Sequence, residues 1–179
     1  ARALQHWHQR HRHCGACGAA LAFRRAGWLG VCTGCSSEHY PRTDQAVIVA
    51  VGNGGRLLLG RQAGWLPRRW SVVAGFVEPG ETFEQTVARE VFEESGLLLA
   101  TRGGHELNGV DCAGFDAMRS AVEADPSLLI KLVRDAGLRF TLDRLIPFAH
   151  WITPSFEPRR FDTHFFLVHA PADQVVRHD

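Results

Sequence analysis

The sequence predicts an α/β (α+β) fold, in which helices pack on a mixed sheet, preceded by a small metal-binding module. Three observations support this prediction. Two Cys-x-x-Cys pairs lie close together near the start of the chain. Short apolar runs separated by glycine turns then alternate with segments of helical periodicity, as in layered folds of helices and sheets. With 179 residues, 45% of them hydrophobic, the chain can bury a core of its own.

The cysteine pairs predict a zinc site. Cys14, Cys17, Cys32 and Cys35 form the pattern CxxC-x14-CxxC, which is close to the four-cysteine spacing of structural zinc modules. Two short knuckles would supply four thiolates to one tetrahedral ion, which leaves no open position for chemistry. Two disulfides or a redox CxxC are the alternatives, but an intracellular setting disfavours the first and two matched pairs disfavour the second.

The residues that lead into the cysteines have no predicted role in metal binding. Four histidines are expected to be solvated or packing side chains, because four cysteines already complete a zinc shell. They are His6, His8, His11 and His13. The predicted domains are residues 1–40, the zinc module with its histidine-rich lead-in, and residues 41–179.

Composition excludes several classes of partner. The formal net charge of +1 argues against a general nucleic-acid or membrane surface. No apolar run approaches 18 residues, and no signal-peptide pattern opens the sequence. We therefore expect a soluble, cytoplasmic protein that does not bind membranes.

The second domain opens with strand-like runs. QAVIVAVG and RLLLG flank a glycine turn at residues 53–55, which predicts a β-hairpin, and WSVVAGF predicts a third strand. Residues 101–109 (TRGGHELNG) are interpreted as a loop because of their glycines. RFTLDRLIPFAHWITP and THFFLVHA return to strand-like patterns in the last third of the chain.

A helix is predicted over residues 82–95. Phe83, Val87 and Val91 recur every four residues on one side, and Gly96 stands at the expected C-cap.

A helical insert is predicted at about residues 113–137. Within it, residues 115–136 have the pattern of two helices, the second beginning with Asp125 as N-cap and Pro126 at the first helical position. Gly137 is expected to end this second helix.

The first helix carries an acidic cluster. In REVFEESG, Glu90, Glu93 and Glu94 project within a sector of about 100°. On spacing alone this is typical of a solvated face, because such repulsion costs an isolated helix only about 0.2–0.5 kcal/mol. The alternative is a set of oxygen ligands for Mg²⁺, which typically takes one or two carboxylates together with substrate phosphate oxygens.

The residues before the helix favour the second interpretation. GFVEPGE, seven further residues and REVFEESGL fit the pattern Gx5Ex7REUxEExGU, where U is a bulky aliphatic residue, at every specified position. This pattern resembles the signature of the Nudix hydrolases. The resemblance implies a Nudix α/β/α sandwich with an N-terminal zinc ribbon. It also implies metal-dependent hydrolysis of a diphosphate linkage in a nucleoside diphosphate linked to another group.

The resemblance assigns roles to the charged residues of the motif. Glu90 and Glu94 would be the main ligands of a catalytic Mg²⁺ or Mn²⁺ ion, and Glu93 would be a further ligand or the base. Glu81 and Arg89 would pair across the junction between loop and helix.

Glycines and arginines near the motif complete the predicted site. Gly75 and Gly80 would allow a tight loop that brings backbone against phosphate. Arg61, Arg68 and Arg69 precede the motif and could bind the diphosphate, although each could equally be a solvated surface arginine.

The front of the chain resembles the NADH pyrophosphatase branch of the family. The similarity runs from about Trp7 to Gly96 and includes WHQRHRHCGACG, CTGC, HYPRTDQAVIV and AGFVEPGE. It implies that NADH or NAD⁺ is cleaved to NMNH or NMN plus AMP. It also implies that Phe76 stacks on the nicotinamide and that Tyr40 lies near the substrate. The alternative for Phe76 is a core aromatic.

The back of the chain resembles a different branch. LIPFAHWITPSFEPRRFDTHFFLVHAP is similar to the branch that includes the animal peroxisomal coenzyme A diphosphatases, and the helical insert also suits that branch. The Ser-Gln-Pro-Trp stretch of the first branch has no counterpart in residues 98–125. Coenzyme A or an acyl-CoA is therefore the alternative substrate. Glu157 or Asp162 could supply a late carboxylate.

The remaining expectations concern rival classes and partners. A catalytically silent Nudix ligand sensor is the non-enzymatic alternative, but such proteins usually lose metal-binding glutamates, and none is missing here. The expected partner is a small dinucleotide, and no nucleic acid is expected apart from an NAD-capped RNA. No final helix is predicted after residue 170, and apolar sheet surface left exposed would favour a homodimer or marginal stability.

Overall fold

The computed structural model describes residues 2–41, 44–112, 114–154, 156, 157 and 159–176. The chain divides into two compact units. The first comprises Ala1–Gln45 and Trp151–Asp162, and the second comprises Ala46–His150 and Thr163–Asp179.

The described helices are α1 (Arg2–Arg10), α2 (Phe83–Ser95), α3 (Gly109–Cys112), α4 (Arg119–Ala124) and α5 (Ser127–Asp135). Short 3-10 turns span Arg25–Gly27, Asp116–Met118 and Leu142–Arg144. The strands are β1 (Leu21–Arg24), β2 (Leu29–Cys32), β3 (Glu38–His39), β4 (Asp44–Asn53), β5 (Arg56–Leu57), β6 (Val73–Phe76), β7 (Ala100–Arg102), β8 (His105–Glu106), β9 (Arg139–Phe140), β10 (Ile146–Ile152) and β11 (Phe161–His169).

The first unit contains a small antiparallel sheet, in the order β1-β2-β3, that carries the cysteine knuckles. The histidine-rich lead-in forms helix α1, which was not predicted. Trp7 is buried, and its ring lies edge-on to Phe23 with centroids 5.3 Å apart. His8 Nε2 lies 2.6 Å from the carbonyl oxygen of Gly27. His8 therefore has a packing role, as expected.

The second unit is built on a five-stranded sheet with the order β10-β11-β4-β5, in which β6 also pairs with β4. The predicted hairpin is present, because Asn53 pairs with Arg56 and both turn glycines, Gly54 and Gly55, have positive φ. Positive φ at both central residues is typical of the type I′ turn of tight hairpins. The second strand is shorter than predicted, since β5 ends at Leu57.

Helix α2 packs on this sheet and is defined by its ends. The Thr82 hydroxyl accepts a hydrogen bond from Gln85 N at 3.2 Å, and the Gln85 side chain accepts one from Thr82 N at 2.9 Å, which completes a capping box. Gly96 ends the helix with φ 73°. Val87 and Val91 are buried against the sheet, which confirms the predicted apolar side.

A second apolar cluster joins α2 to the helical insert. Phe92 of α2 packs with Val122 of α4 and with Leu129 and Val133 of α5. α2 thus contributes to both cores, one shared with the sheet and one shared with the insert. This arrangement agrees with the predicted sandwich.

Two local predictions need correction. The segment interpreted as a loop forms a hairpin of β7 and β8 around Gly103 and Gly104, and β7 also pairs with β9. These strands are only two or three residues long, so no alternating pattern marks them in the sequence. Asp125 does accept a hydrogen bond from Ser127 N at 3.1 Å, but α5 begins one residue later than predicted.

The end of the second unit is tied to its interior by Gln174. The side chain accepts a hydrogen bond from Leu98 N at 2.8 Å and donates to the carbonyl oxygens of Leu98 and Leu107 at 3.0 and 3.2 Å. In the part of the chain that the structure describes, no helix is both long enough and apolar enough to cross a membrane.

Candidate active site

The four predicted cysteines come together in the first unit. Cys14 Sγ lies 3.7 Å from Cys35 Sγ, and Cys17 Sγ lies 3.3 Å from Cys32 Sγ. Four sulfurs placed about 2.3 Å from one zinc ion would lie about 3.8 Å apart in a regular tetrahedron. The cluster therefore fits a zinc ion with only small adjustments.

Backbone and hydroxyl groups around the cysteines suit thiolates. Gly34 N and Cys35 N each lie 3.4 Å from Cys32 Sγ, so two N–H groups point at this sulfur. Hydrogen bonds with Ser37 lower the pKa of Cys35 to about 6. Because the thiolate is the form that binds metal, these contacts favour the ligand state of Cys32 and Cys35. All four positions of the shell are filled by protein, as in a structural site.

Arg89 is the centre of the acidic site in the second unit. Its Nε and Nη2 atoms donate to the two carboxylate oxygens of Glu81 at 2.8 and 3.1 Å. Its Nη1 atom donates to Glu90 at 2.7 Å and to Glu93 at 2.8 Å, and Nη2 also donates to the carbonyl oxygen of Phe76 at 2.8 Å. All five guanidinium N–H donors are therefore used.

This network is buried. The side chains of Arg89 and Glu81 are 5% and 8% exposed. Burial by itself lowers the pKa of Arg89, but Glu81 and Glu90 outweigh it and raise that pKa, so the guanidinium stays charged. Glu81 also accepts a hydrogen bond from the buried hydroxyl of Thr86 at 2.9 Å. The motif thus fixes the loop before α2 to the helix by a paired and hydrogen-bonded charge.

Gly75 has a different role from the predicted one. It lies within β6, and a Cβ atom at this position would overlap the carboxylate of Glu90. The missing side chain therefore makes room for Glu90 itself, where the sequence had suggested room for a phosphate. Gly80 does adopt φ +93°, as a tight loop requires, and a Cβ there would meet no atom within 4 Å.

Burial opposes the charged form of both Glu90 and Glu93, whereas the nearby Arg89 favours it. Burial is the largest cause that raises the pKa of Glu90 to about 7, and the attraction of Arg89 opposes it only in part. Burial likewise raises the pKa of Glu93. One oxygen of Glu93, Oε1, is buried and has no hydrogen-bond partner among the residues that the structure describes. A buried carboxylate oxygen without a donor is costly unless something else binds it, and a cation would satisfy this need.

Glu94 projects to a more open position. It is exposed, and a Cβ added at Gly60 would lie 3.9 Å from its Oε2 atom. Among the described residues, the carboxylates of Glu90, Glu93 and Glu94 are not all close enough together to form one cluster of metal ligands. Mg²⁺ typically takes only one or two carboxylates together with phosphate oxygens, so a magnesium site does not require all three in one set.

The predicted arginines lie on a loop that starts beside Glu94. Gly60 and Ser71 exchange backbone hydrogen bonds of 2.8 and 3.0 Å and close the loop at its base. Arg61 donates to the carbonyl oxygen of Trp65 at 2.7 Å. Arg68 and Arg69 line a cavity of about 630 Å³ within the loop.

The two predicted aromatic contacts are both on the surface. Phe76 is 52% exposed, so its interpretation as a core aromatic is wrong. Its ring stands at the end of β6, one residue after Gly75. Tyr40 is 51% exposed, and its hydroxyl donates to Glu38. Both rings are therefore accessible.

Two contributors to the site were missed by the sequence reasoning. Thr86 supplies a hydroxyl to Glu81, and Arg119 of the insert donates to the backbone carbonyl of Glu93 at 2.7 Å. Nothing in the sequence distinguishes this buried arginine from the many exposed ones. The late carboxylate at Glu157 or Asp162 and the homodimer stay predictions.

Comparisons with known proteins agree with this geometry. Residues 41–126 match the family model of the NUDIX domain, and residues 9–40 match that of the NADH pyrophosphatase zinc ribbon domain. A crystal structure of a NUDIX hydrolase from Alicyclobacillus acidocaldarius has a similar fold, with a TM-score of 0.56 and 20% identity, over 75% of this chain and 74% of that chain.

Curated relatives match over about half of this chain. Nudix hydrolase 19, chloroplastic, from Arabidopsis thaliana is 44% identical over 101 residues, which are 54% of this chain and 23% of that protein. The NAD-capped RNA hydrolase NudC of Stutzerimonas stutzeri is 45% identical over 91 residues, 51% of this chain and 33% of that protein. NudC of Mycobacterium tuberculosis is 48% identical over 100 residues, 55% of this chain and 32% of that protein.

The matched segments thus span a quarter to a third of the length of these relatives. Within this chain they agree with the cysteine cluster, the Arg89 network and the fold. The chain thus contains a NUDIX domain over residues 41–126, preceded over residues 9–40 by a zinc ribbon domain of the NADH pyrophosphatase type.

Proposed function

We propose that this chain hydrolyses the diphosphate linkage of a dinucleotide in a reaction that depends on Mg²⁺ or Mn²⁺, with NADH or NAD⁺ as the lead substrate. Water would add to one phosphorus and the bridging P–O bond would break, giving NMNH or NMN plus AMP. The observation that carries the proposal is the buried Arg89 network, which holds the carboxylates of Glu90 and Glu93 and leaves Glu93 Oε1 without a hydrogen-bond partner among the described residues.

Each residue of the network has a part in this reaction. Glu90 and Glu94 would hold the cation, and Glu93 would be a further ligand or would accept the proton of the attacking water at Oε1. A bound divalent cation supplies Lewis acidity and lowers the pKa of a water molecule. Arg89 keeps the glutamates oriented by its ion pairs, since it has no donor left for substrate.

The choice of a dinucleotide rests on the residues around the glutamates. The exposed ring of Phe76 can stack on a base, at the end of the strand that carries Gly75. The loop that starts at Gly60 beside Glu94 carries Arg61 and Arg69, which can bind phosphate oxygens. The zinc ribbon and the two NudC relatives favour a nicotinamide dinucleotide, either free or as the cap of an RNA.

Coenzyme A remains the second candidate because of the WITPSFEPRRFDT stretch. In the structure this stretch is organised around Thr153, whose backbone N donates to Phe161 O at 3.0 Å and whose carbonyl oxygen accepts from Arg160 Nε at 3.0 Å. These contacts account for Thr153 and Arg160 without any substrate. The sequence similarity to coenzyme A diphosphatases is therefore weaker support than the zinc ribbon.

The decisive experiment compares substrates side by side. Purified protein with Mg²⁺ or Mn²⁺ is assayed against NADH, NAD⁺, an NAD-capped RNA, coenzyme A and ADP-ribose. Release of NMNH and AMP from NADH supports the proposal, and cleavage of coenzyme A alone contradicts the substrate. Absence of turnover with all five would favour the ligand sensor.

A variant tests the assignment of the glutamates. Glu94→Gln removes a carboxylate charge and keeps the shape, so kcat/KM should fall about a thousandfold, which corresponds to about 4 kcal/mol. Zinc content should not change. Glu84→Gln, in the first turn of the same helix, is the matched control and should retain activity. If Glu94→Gln keeps activity close to that of the wild type, Glu94 is not a metal ligand.

A further inference from the structure

Arg119, the first residue of α4, connects the helical insert to the acidic end of α2. Its side chain is buried, with only 7% of the residue exposed. Nη2 and Nε donate to the carbonyl oxygen of Glu93 at 2.7 and 3.2 Å. Two donors of one guanidinium therefore converge on a single backbone oxygen, 26 residues away in the sequence.

This oxygen lies where α2 needs an external donor. In an uninterrupted helix the Glu93 carbonyl would accept from the N–H of Leu97, but the chain leaves the helix at Gly96, and Leu97 N instead lies 3.3 Å from Ser95 Oγ. A cation at the C-terminal end of a helix also interacts favourably with the helix dipole. Arg119 thus satisfies a carbonyl and stabilises the last turn of α2.

The peptide group that Arg119 holds is the one between Glu93 and Glu94. A peptide group is planar, so fixing its carbonyl oxygen also fixes the Cα atoms on both sides. Together with the helical backbone angles of this turn, the contact restrains the direction in which each Cα–Cβ bond leaves the helix. Glu93 is consequently held at both ends, by Arg119 at its backbone and by Arg89 at its carboxylate.

We infer that Arg119 is a positioning residue for the catalytic carboxylates, acting through the peptide group that links Glu93 to Glu94. The inference rests on the proposed function of those glutamates. In this role Arg119 acts through its hydrogen bonds to the Glu93 carbonyl oxygen. Its effect is to keep the last turn of α2 in the conformation in which Glu94 faces Gly60 and Glu93 faces Arg89.

The insert therefore has a part in the site although it supplies no ligand. Val122 on α4 and Phe92 on α2 lie in the same apolar cluster, which anchors the helix that carries Arg119. The contact between Arg119 and the Glu93 carbonyl oxygen therefore links the position of α4 to that of the acidic residues. Partners that orient metal ligands from outside typically change metal affinity or activity by about 10–100-fold when they are removed.

The test compares Arg119→Gln and Arg119→Lys with the wild type, and uses Arg134→Gln as control. Arg134 lies on α5 of the same insert, and its side chain is 73% exposed. Binding of Mn²⁺ alone is measured by electron paramagnetic resonance, and turnover of NADH is measured in parallel. Arg119→Gln should weaken Mn²⁺ binding about 10–100-fold and lower kcat more than it changes KM.

Arg119→Lys should recover part of both quantities, because it keeps a positive donor, and Arg134→Gln should match the wild type. A purely structural role predicts a different result. In that case Arg119→Gln lowers the melting temperature, but the protein that is folded at low temperature binds Mn²⁺ and turns over NADH like the wild type. That result overturns the inference, and so does an Arg119→Lys variant that folds but performs no better than Arg119→Gln.

The two proposals can fail separately. If the wild type binds Mn²⁺ but hydrolyses no dinucleotide, the proposed function is wrong, and the Mn²⁺ affinities of the variants still decide the role of Arg119. If NADH is hydrolysed and Arg119→Gln changes neither affinity nor kcat, only the positioning role is wrong. If the wild type binds no Mn²⁺, both are wrong.

Discussion

The cysteine cluster and the glutamate cluster of this chain both bring negatively charged groups together, but different contacts hold them in place. The cysteines of the zinc ribbon form a closed shell of four sulfurs, and two backbone N–H groups support Cys32. The glutamates of α2 are instead organised by an arginine, and one oxygen of Glu93 is left without a partner. A closed shell stabilises a fold, whereas an open one leaves room for a reacting molecule.

The difference also lies in how far apart the contributing residues are. The ribbon needs two short knuckles within residues 14–35, each of which folds locally. The glutamate site needs β6 for Gly75, the preceding loop for Glu81 and the insert for Arg119. We therefore expect the first site to depend on its metal and the second to depend on the protein around it.

The largest effect is expected from breaking the closed site. Cys32→Ser removes a buried ligand, and because structural zinc binding supplies about 10–16 kcal/mol of folding free energy in small modules, strands β1–β3 should unfold. The zinc content of the purified protein should fall from about one ion per chain to less than about a tenth. Metal analysis measures this. Cys112→Ala changes a buried cysteine in the second apolar cluster and should leave the zinc content unaltered. Full zinc content in Cys32→Ser would refute the assignment.

The second largest effect is expected from replacing Arg89, which lies at the centre of the glutamate site. Arg89→Met leaves Glu81, Glu90 and Glu93 buried without their cation, which should lower the free energy of unfolding by about 3–5 kcal/mol. Denaturant unfolding measures it. Arg102→Met is the control, because Arg102 forms an exposed ion pair with Asp111 worth about 0–1 kcal/mol. A loss of less than about 1 kcal/mol in Arg89→Met would mean that the network does not hold the site together.

The smallest expected effect is a dependence of the glutamate site's stability on pH. The pKa of Glu90 is about 7 in the folded protein, above its ordinary value, so the folded state keeps a proton that the unfolded state releases near pH 4.5. Without divalent cation, this group's contribution to stability is fully present below that pH and is lost as pH rises through 7, by up to about 1.4 kcal/mol per unit. Binding of Mn²⁺ should strengthen over the same range, because the ligand must lose its proton.

Unfolding experiments at several pH values with metal removed measure this effect, and Glu90→Gln provides the comparison. The wild type should lose stability relative to the variant between pH 5 and 7. A difference that is independent of pH would show that Glu90 is already ionised at the lower pH.

Local sequence signals predicted the elements whose determinants are close together in the chain. The C-cap of α2 at Gly96, the hairpin at Gly54 and Gly55, and the cysteine knuckles are all of this kind. The short hairpin of β7 and β8 was missed because two or three residues cannot display a period. The start of α5 differs by one residue, since Pro126 is the N-cap residue and the helix begins at Ser127, whose backbone N donates to Asp125.

The candidate site was only partly predictable for a related reason. The Nudix pattern placed Glu81, Arg89 and the three glutamates in one motif, but a pattern does not say which atoms touch. That Gly75 accommodates Glu90 is a property of β6 lying against α2. Arg119 lies outside the motif altogether, and only its burial and its contact with the Glu93 carbonyl distinguish it from the other arginines.

The saturated guanidinium of Arg89 limits how this protein can be redesigned. All five of its donors are taken, and a lysine at the same position would offer three donors in a different geometry. Two of the five buried acceptors would then lose the donor that the arginine gives them. A redesign of the proposed cation site should therefore vary Glu94, which is exposed, and keep Arg89, which orients Glu81, Glu90 and Glu93.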